Sequence, residues 1–324
     1  MNIVYNGEKD INFKDAMGRD IPEMASQDDR VVYLDADLAN CVNMGKFIKE
    51  NPERGFDCGI AEANMIGIAA GLSSAGFKPI VHTFGPFASR RCFDQVFLSV
   101  GYARNSVTIL GTDAGVCAAM NGATHMPFED MALYRAIPGA HVFEATDTVM
   151  LGELLKKCKD IPGVKYIRLG RKQNIKIYGE GSEFEIGKGV VLKEGPDATI
   201  IASGIMVAKA YEAAEKLAEE GIQVSVIDMF TVKPLDEELV LEYAEKTGAI
   251  VTAENHNKIG GLTSAVSDLV VSKYPVPVEH VAVEDEFGEV GPQNYLEERY
   301  GLTTEHIIEK TKQAIERKNR KVKS

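Results

Sequence analysis

Apolar residues fall in short β-branched runs separated by longer stretches of helical periodicity, and the alternation persists along most of the chain. VVYLD (Val31–Asp35), PIVHTF (Pro79–Phe84), VTILG (Val107–Gly111), HVFEA (His141–Ala145) and KYIRL (Lys165–Leu169) predict strands. Phe13 to Ser26, Ala61 to Ser74, Arg91 to Tyr102 and Thr148 to Asp160 predict helices between them. A polar, Gly-rich stretch, YGEGSEFEIGKG (Tyr178–Gly189), then interrupts the pattern. Beyond it ATIIAS (Ala198–Ser203), QVSVID (Gln223–Asp228), AIVTAE (Ala249–Glu254) and VEHVAV (Val278–Val283) predict strands. Met206 to Glu220, Asp236 to Thr247 and Leu262 to Ser272 predict the helices among them. The expectation is two consecutive α/β domains, 1–178 and 190–324, joined by a linker at 179–189.

With 324 residues, 45% hydrophobic and 26% charged, the chain can bury two substantial cores. Apolar stretches such as Ile66–Leu72 and Ala198–Ala202 fall far short of the roughly 20 residues of a membrane span. The start MNIVYNGEKD has no signal-peptide pattern, so the expected location is cytoplasmic. A formal charge of −12 argues against nucleic-acid binding, which draws on an excess of Lys and Arg. The one basic run, Arg317–Lys323, reads either as a solvated tail or as a docking segment. Five cysteines without a CxxC pair imply neither a disulfide framework nor a structural zinc site, and no metal ligands are expected.

The chain has no GxGxxG after a strand, no Walker loop, no GxSxG elbow, no HExxH and no kinase signature. DADLAN (Asp35–Asn40) ends a strand, where it serves either as a cap or as part of a ligand edge. Glu62 opens a small, apolar helix (GIAEANMIGIAAGLSSAG, Gly59–Gly76). It either complements the helix dipole or sits at a dry junction, where burial would raise its pKa toward neutrality. TFGPFASRRCFDQV (Thr83–Val96) sets Phe84, Phe87 and Phe93 beside Arg90 and Arg91, as core or as a wall for a flat heterocycle. NGATHMPFED (Asn121–Asp130) places His125 in a loop after a strand, a common position for functional histidines.

In this order the segments resemble the C-terminal half of the transketolase family, over nearly the whole chain. GIAEANMIGIAAGL is similar to the family's cofactor-activating helix, with Glu62 at the glutamate that contacts a ring nitrogen of the thiamine diphosphate aminopyrimidine. FGPFASRRCFDQV is similar to the aromatic wall, which places Phe84, Phe87 and Arg90 at the cofactor. NGATHMPFEDMALYRAIPG resembles the substrate-histidine loop, with His125 near the reacting carbon. DADL resembles the acidic strand end, with Asp37 near the cofactor. TAENHNKIGGLTSAVSDLV and DEFGEVG are similar to the family's third domain.

The resemblance implies a pyrimidine-binding thiamine-diphosphate fold followed by a transketolase C-terminal-like domain, with Glu62 and His125 catalytic. It implies that Arg19 and Arg171 contact a substrate phosphate. Three departures imply an altered sugar preference: Asp113 stands where a histidine is usual, Asn121 where an aspartate is usual, and Cys41 near the usual serine. The family holds the diphosphate and Mg2+ in a separate domain with a GDG motif, which this sequence lacks. The implied protein is therefore the second polypeptide of a split transketolase, paired with an N-terminal subunit that brings that domain, in a two-plus-two assembly. Its implied activity moves a two-carbon ketol unit between sugar phosphates. The alternatives are the beta subunit of a 2-oxo-acid dehydrogenase, a deoxyxylulose-phosphate synthase-like enzyme, and a non-catalytic assembly subunit.

Overall fold

The apolar runs form strands whose side chains are buried on both faces: every residue of Val31–Asp35, Val107–Thr112, Val164–Arg168 and Ala198–Ala202 is inside. The computed structural model describes residues 1–321. In chain order the strands are β1 (Lys9–Asn12), β2 (Val31–Asp35), β3 (Gly55–Asp57), β4 (Lys78–Phe84), β5 (Val107–Thr112), β6 (His141–Glu144) and β7 (Val164–Arg168). They continue with β8 (Gln173–Ile175), β9 (Val190–Pro196), β10 (Ala198–Ala202), β11 (Val224–Asp228), β12 (Thr231–Lys233), β13 (Ile250–Asn257) and β14 (Val278–Val283). A 7-stranded sheet has the order β12-β6-β7-β5-β4-β2-β3 and a 5-stranded sheet the order β14-β13-β10-β11-β9; β1 and β8 pair separately.

Helices cover both faces of the larger sheet, and strand alternation divides its core. Tyr33, Leu110 and Ile167 face Met17, Ile21 and Leu154 of the Phe13–Gln27 and Thr148–Cys158 helices. Val32, Leu34 and Val81 face Met65, Ile66 and Ala69 of the Glu62–Ser74 helix. The helices expected in the second half form at Met206–Glu219, Glu237–Thr247 and Leu262–Lys273.

Several details differ from the expected pattern. The segment from Arg91 is not one α-helix: a turn at Phe93–Gln95 passes into a π-helix, Val96–Tyr102, where the Ala103 N–H reaches back to the Leu98 carbonyl at 3.1 Å. The wider turn keeps Val96 and Val100 in the core and leaves Leu98 and Tyr102 outside. The short strands β1, β3, β8 and β12, of three or four residues, carry no apolar alternation that would mark them in the sequence. One of them joins the halves, since β12 pairs antiparallel with β6 and gives the larger sheet its edge. Arg317 and Arg320 of the basic run pair with Glu279 and Glu316, while Val322 and Lys323 lie outside the described residues. Among the described residues no helix is long and apolar enough to cross a membrane.

The two sheets also meet through one buried guanidinium. Arg168, last residue of β7, is fully enclosed. Its Nε donates to Asp130 Oδ2 at 2.8 Å and its Nη1 to Glu144 Oε1 at 2.5 Å. Its Nη2 donates to the carbonyls of Pro127 at 2.9 Å and Asn255 at 2.8 Å. Glu144 in turn accepts from Ser203 Oγ at the end of β10. Pro127 precedes the helix Asp130–Arg135 and Asn255 belongs to β13, so this single side chain spans both sheets and the His125 loop.

Candidate functional site

Strand order in the larger sheet changes direction at β2, which has β3 on one side and β4 on the other. Open α/β sheets bind ligands at the carboxyl ends of strands beside such a point. Asp35 and His82 are register partners there. His82 Nδ1 lies 2.8 Å from Asp35 Oδ2, the same oxygen accepts from Tyr33 OH at 2.7 Å, and His82 Nε2 lies 3.1 Å from Thr112 Oγ1. All four residues are buried, and burial pushes the Tyr33 hydroxyl well above its ordinary pKa, so it remains a donor. The network ties the ends of β2, β4 and β5 together beneath the loops that carry the candidate residues. His82 is not among the residues singled out in the sequence; a polar residue near the carboxyl end of an apolar strand is the signal that marks it.

Glu62 begins the Glu62–Ser74 helix with its carboxylate only 2% exposed. The buried carboxylate is not alone: the half-exposed Arg91 donates from Nη1 to Oε1 at 2.7 Å. The same guanidinium lies over the Phe87 ring, 3.8 Å from its centroid. Phe87 meets the His125 ring edge-on at 5.1 Å between centroids, and Phe84 stands 6.2 Å from Phe87 and 6.0 Å from His125. Pro86, Phe87, Arg90, Arg91, Thr124 and His125 line an open recess of about 540 Å³. Arg90 pairs through Nε with Glu129 at 2.7 Å and donates from Nη2 to the Thr124 carbonyl at 3.4 Å. His125 Nδ1 is 2.9 Å from Thr124 Oγ1, and burial, then the charges of Arg91 and Arg171, hold its pKa below the ordinary value; the ring is neutral at neutral pH.

A second cavity of about 310 Å³ lies on the other side of Phe84. Its lining includes Lys14, Cys41, Asp113, Arg171 and Lys172. Arg171 Nε is 3.1 Å from Asp113 Oδ1, an ion pair by distance, although that oxygen accepts no well-aligned hydrogen bond. Burial pushes the Asp113 carboxyl up to about 6, against the opposing pull of Arg171 and His82. The chain after β5 is strained: Asp113 has φ 63 and Ala119 has φ 48 with ψ −117. Each such residue costs on the order of 1–3 kcal/mol and persists only where its surroundings hold it.

The structure thus brings Phe87, Arg90 and His125 to one recess, with Glu62 bonded to its Arg91 wall, and Phe84, Cys41, Asp113 and Arg171 to the cavity beside it. Arg19 requires correction. It lies about one and a half turns beyond Lys14 on the Phe13–Gln27 helix and lines a different cavity. There its Nε pairs with Asp20 at 2.6 Å, so it does not reach the others. Lys14 and Lys172, which the sequence did not mark, supply the additional cations at the Asp113 cavity. Asp37 is exposed on the turn after β2 with φ 62, and the buried carboxylate of that segment is Asp35. Asn121, half-buried in the loop after β5, lines neither the recess nor the cavity.

Comparison with known proteins matches residues 9–175 to the transketolase pyrimidine binding domain and residues 187–307 to the transketolase C-terminal domain. The chain is 48% identical to the 6-deoxy-6-sulfo-D-fructose transketolase subunit SqwH of Clostridium sp. (strain MSTE9), covering 92% of each chain. It is 38% identical to an apulose-4-phosphate transketolase subunit of Phocaeicola vulgatus, covering 88% of this chain and 91% of that one. Among solved structures it is similar to a split gene transketolase, described as an inactive beta4 tetramer. The TM-score is 0.87 at 42% identity, covering 95% of this chain and 99% of that one.

The Asp113 carboxyl gives a stability signature. Its folded pKa of about 6 is above the ordinary 3.8, so its contribution is fully present below pH 3.8 and is lost as pH rises through 6. Replacing it by Asn, which tolerates positive φ, removes that dependence. Urea unfolding of wild type and Asp113→Asn at pH 4 and pH 8 should show wild type losing about 2–3 kcal/mol relative to the variant on going to pH 8. Taking the difference cancels Asp228, whose buried carboxyl is pushed up to about 7 in the same range. A pH-independent difference would show that Asp113 titrates normally.

Proposed function

The chain belongs to the transketolase family, and we propose that it is the C-terminal subunit of a split transketolase-type enzyme that moves a two-carbon ketol unit between sugars with thiamine diphosphate. We place the boundary between its two domains in the 179–189 linker. The observation that carries the reading is the Glu62 carboxylate, almost wholly buried at a helix start and bonded to Arg91, which lies on Phe87 next to His125, in a chain without a diphosphate-binding motif.

The recess fits an aminopyrimidine. The Arg91 guanidinium, a flat group with N–H donors, already lies on Phe87 while donating to Glu62, which is the pair of contacts a stacked pyrimidine would make with the same residues. When bound, thiamine diphosphate supplies the carbon nucleophile that takes up and passes on the two-carbon unit. Glu62 would hold a proton against a ring nitrogen, and Phe84 and Phe87 would fix the ring plane. His125, neutral and at the rim of the recess, would donate to or accept from substrate oxygens. The diphosphate and its Mg2+ would be held by an N-terminal partner subunit. The outer face of the Glu62–Ser74 helix suits close packing against another chain: Asn64, Gly67, Ile68 and Gly71 are exposed, and nothing lies within 4 Å of either glycine's missing Cβ. A two-plus-two assembly would bury it.

Lys14, Arg171 and Lys172 would receive the terminal anion of the sugar in the adjoining cavity. Asp113 opposes a second negative charge there, because an ionised carboxylate beside the anion repels it. A singly charged sulfonate suits this site better than a phosphate dianion, and the SqwH relative is named for a sulfofructose.

Two measurements test the reading, each on the chain assembled with its partner subunit. Glu62→Gln should retain assembly and lose about 10²-fold or more of kcat, since an amide cannot exchange the proton; near wild-type turnover would remove Glu62 from the mechanism. For selectivity, kcat/KM should be at least tenfold higher for 6-deoxy-6-sulfofructose than for fructose 6-phosphate, and Asp113→His should narrow the gap by a similar factor, about 1.4 kcal/mol. Preference for the phosphate, unchanged by the substitution, would contradict the assignment.

A further inference from the structure

Between β5 and His125 the backbone takes positive φ at Asp113 (63), Gly115 (50), Ala119 (48) and Gly122 (77). Gly115–Asn121 is a short 3₁₀ run kinked at Ala119; at its ends Cys117 N–H donates to the Ala114 carbonyl, Gly122 N–H to the Ala119 carbonyl and Ala114 N–H to the Leu169 carbonyl, and Arg171 Nη1 donates to the Ala118 carbonyl. A path of this kind holds its shape only when neighbouring structure fixes it. Besides Leu169 and Arg171, that neighbouring structure is the second sheet.

That sheet changes direction between β10 and β13, which places its own ligand crevice at their carboxyl ends. The crevice is filled by the first half of the chain. Ser203, just after β10, donates to Glu144, and the Asn255 carbonyl on β13 accepts from Arg168. The side chain of Asn255, fully buried, then reaches across: Oδ1 accepts from Val116 N–H at 3.0 Å and Nδ2 donates to the Ala114 carbonyl at 2.9 Å. The approach is close enough that a Cβ at Gly115 would stand 2.5 Å from the Asn255 carbonyl oxygen. Further along β13, Asn257 N–H donates to the Phe128 carbonyl. The DEFGEVG segment closes the other side, where a Cβ at Gly122 would meet Val290 at 2.7 Å and one at Gly288 would meet Met126 at 2.6 Å.

We propose that Asn255 is a positioning residue of the reaction: from the second domain it locks the 114–117 backbone, and so fixes Asp113 where the sugar is to be read. The proposal rests on the assignment of this loop to substrate given above. An amide suits the task because one group offers an acceptor to Val116 N–H and a donor to the Ala114 carbonyl at once. Among the described residues no other side chain bonds both. The second domain is then part of the active-site machinery although none of the residues lining the Asp113 cavity comes from it.

Two variants and two readouts test this. Asn255→Ala deletes both bonds, and Gly115→Ala keeps Asn255 but places a methyl group in its way, so a folding failure of one leaves the other. Hydrogen exchange on the full chain should show at least tenfold faster exchange of the Val116 and Cys117 amides in each variant, with β2, β4 and β10 unchanged. In the enzyme assembled with its partner, KM for the ketose should rise at least tenfold with kcat within threefold and thiamine diphosphate affinity unchanged. Unaltered loop exchange would overturn the clamp. A faster-exchanging loop with unchanged KM, or a fall in kcat alone that follows a lower Tm, would show a merely structural residue. If wild type with its partner transfers no two-carbon unit, the functional reading falls with the positioning role, while exchange still decides whether the clamp exists.

Discussion

Arg168 carries its charge in a place from which water is excluded, and the cost of doing so is met only because two carboxylates and two carbonyls converge on its guanidinium. Removing one member of such a buried set typically costs about 3–5 kcal/mol, because the remaining charges are left unpaired. The geometric consequence matters as much as the energy. The fork of Arg168 requires Asp130, Pro127, Glu144 and Asn255 at fixed angles, so the His125 loop, the larger sheet and the smaller sheet share one alignment. Asp130 is further held by the Tyr166 hydroxyl at 2.7 Å, and Tyr166 stacks on Tyr134 with centroids 4.0 Å apart.

From this anchor the site divides into two chemistries. On one side of Phe84 are rings, a neutral histidine and one buried carboxylate, which suit a flat heterocycle. On the other are three cations and a carboxyl group of raised pKa, which suit the charged end of a sugar. The described residues place no comparable cationic set at the Glu62 recess beyond Arg90 and Arg91, both engaged by carboxylates. In the proposed function the diphosphate end of the cofactor therefore lies against another polypeptide, and each half-site is silent without its complement.

Much of this was legible in the sequence because both-face burial makes a central parallel strand a continuous apolar run. VVYLD, VTILG and ATIIA state their location without help from context. The Glu62 helix and the FGPF and THMPF segments are marked by their resemblance to the family's motifs, since their residue types alone leave a purely structural reading open. Edge strands such as β3 and β12 were not legible: three residues with mixed burial carry too little pattern. The Arg91–Glu62 pair, the Lys14 and Lys172 cations and the Asn255 clamp depend on contacts across 29 to 141 residues of chain, which no local signal encodes. Arg19 failed for a related reason. Its charge was visible, but which face of its helix it occupies is set by Ala16, Met17 and Ile21 packing inward.

In the proposed function this chain carries half of a thiamine diphosphate site, and isothermal titration calorimetry reads that directly. Thiamine diphosphate with Mg2+ should give no saturable heat with this chain alone. It should give a saturable, Mg2+-dependent isotherm once the N-terminal polypeptide that carries the diphosphate-binding domain is added at equal concentration. Tight, Mg2+-dependent binding to this chain by itself would contradict the account.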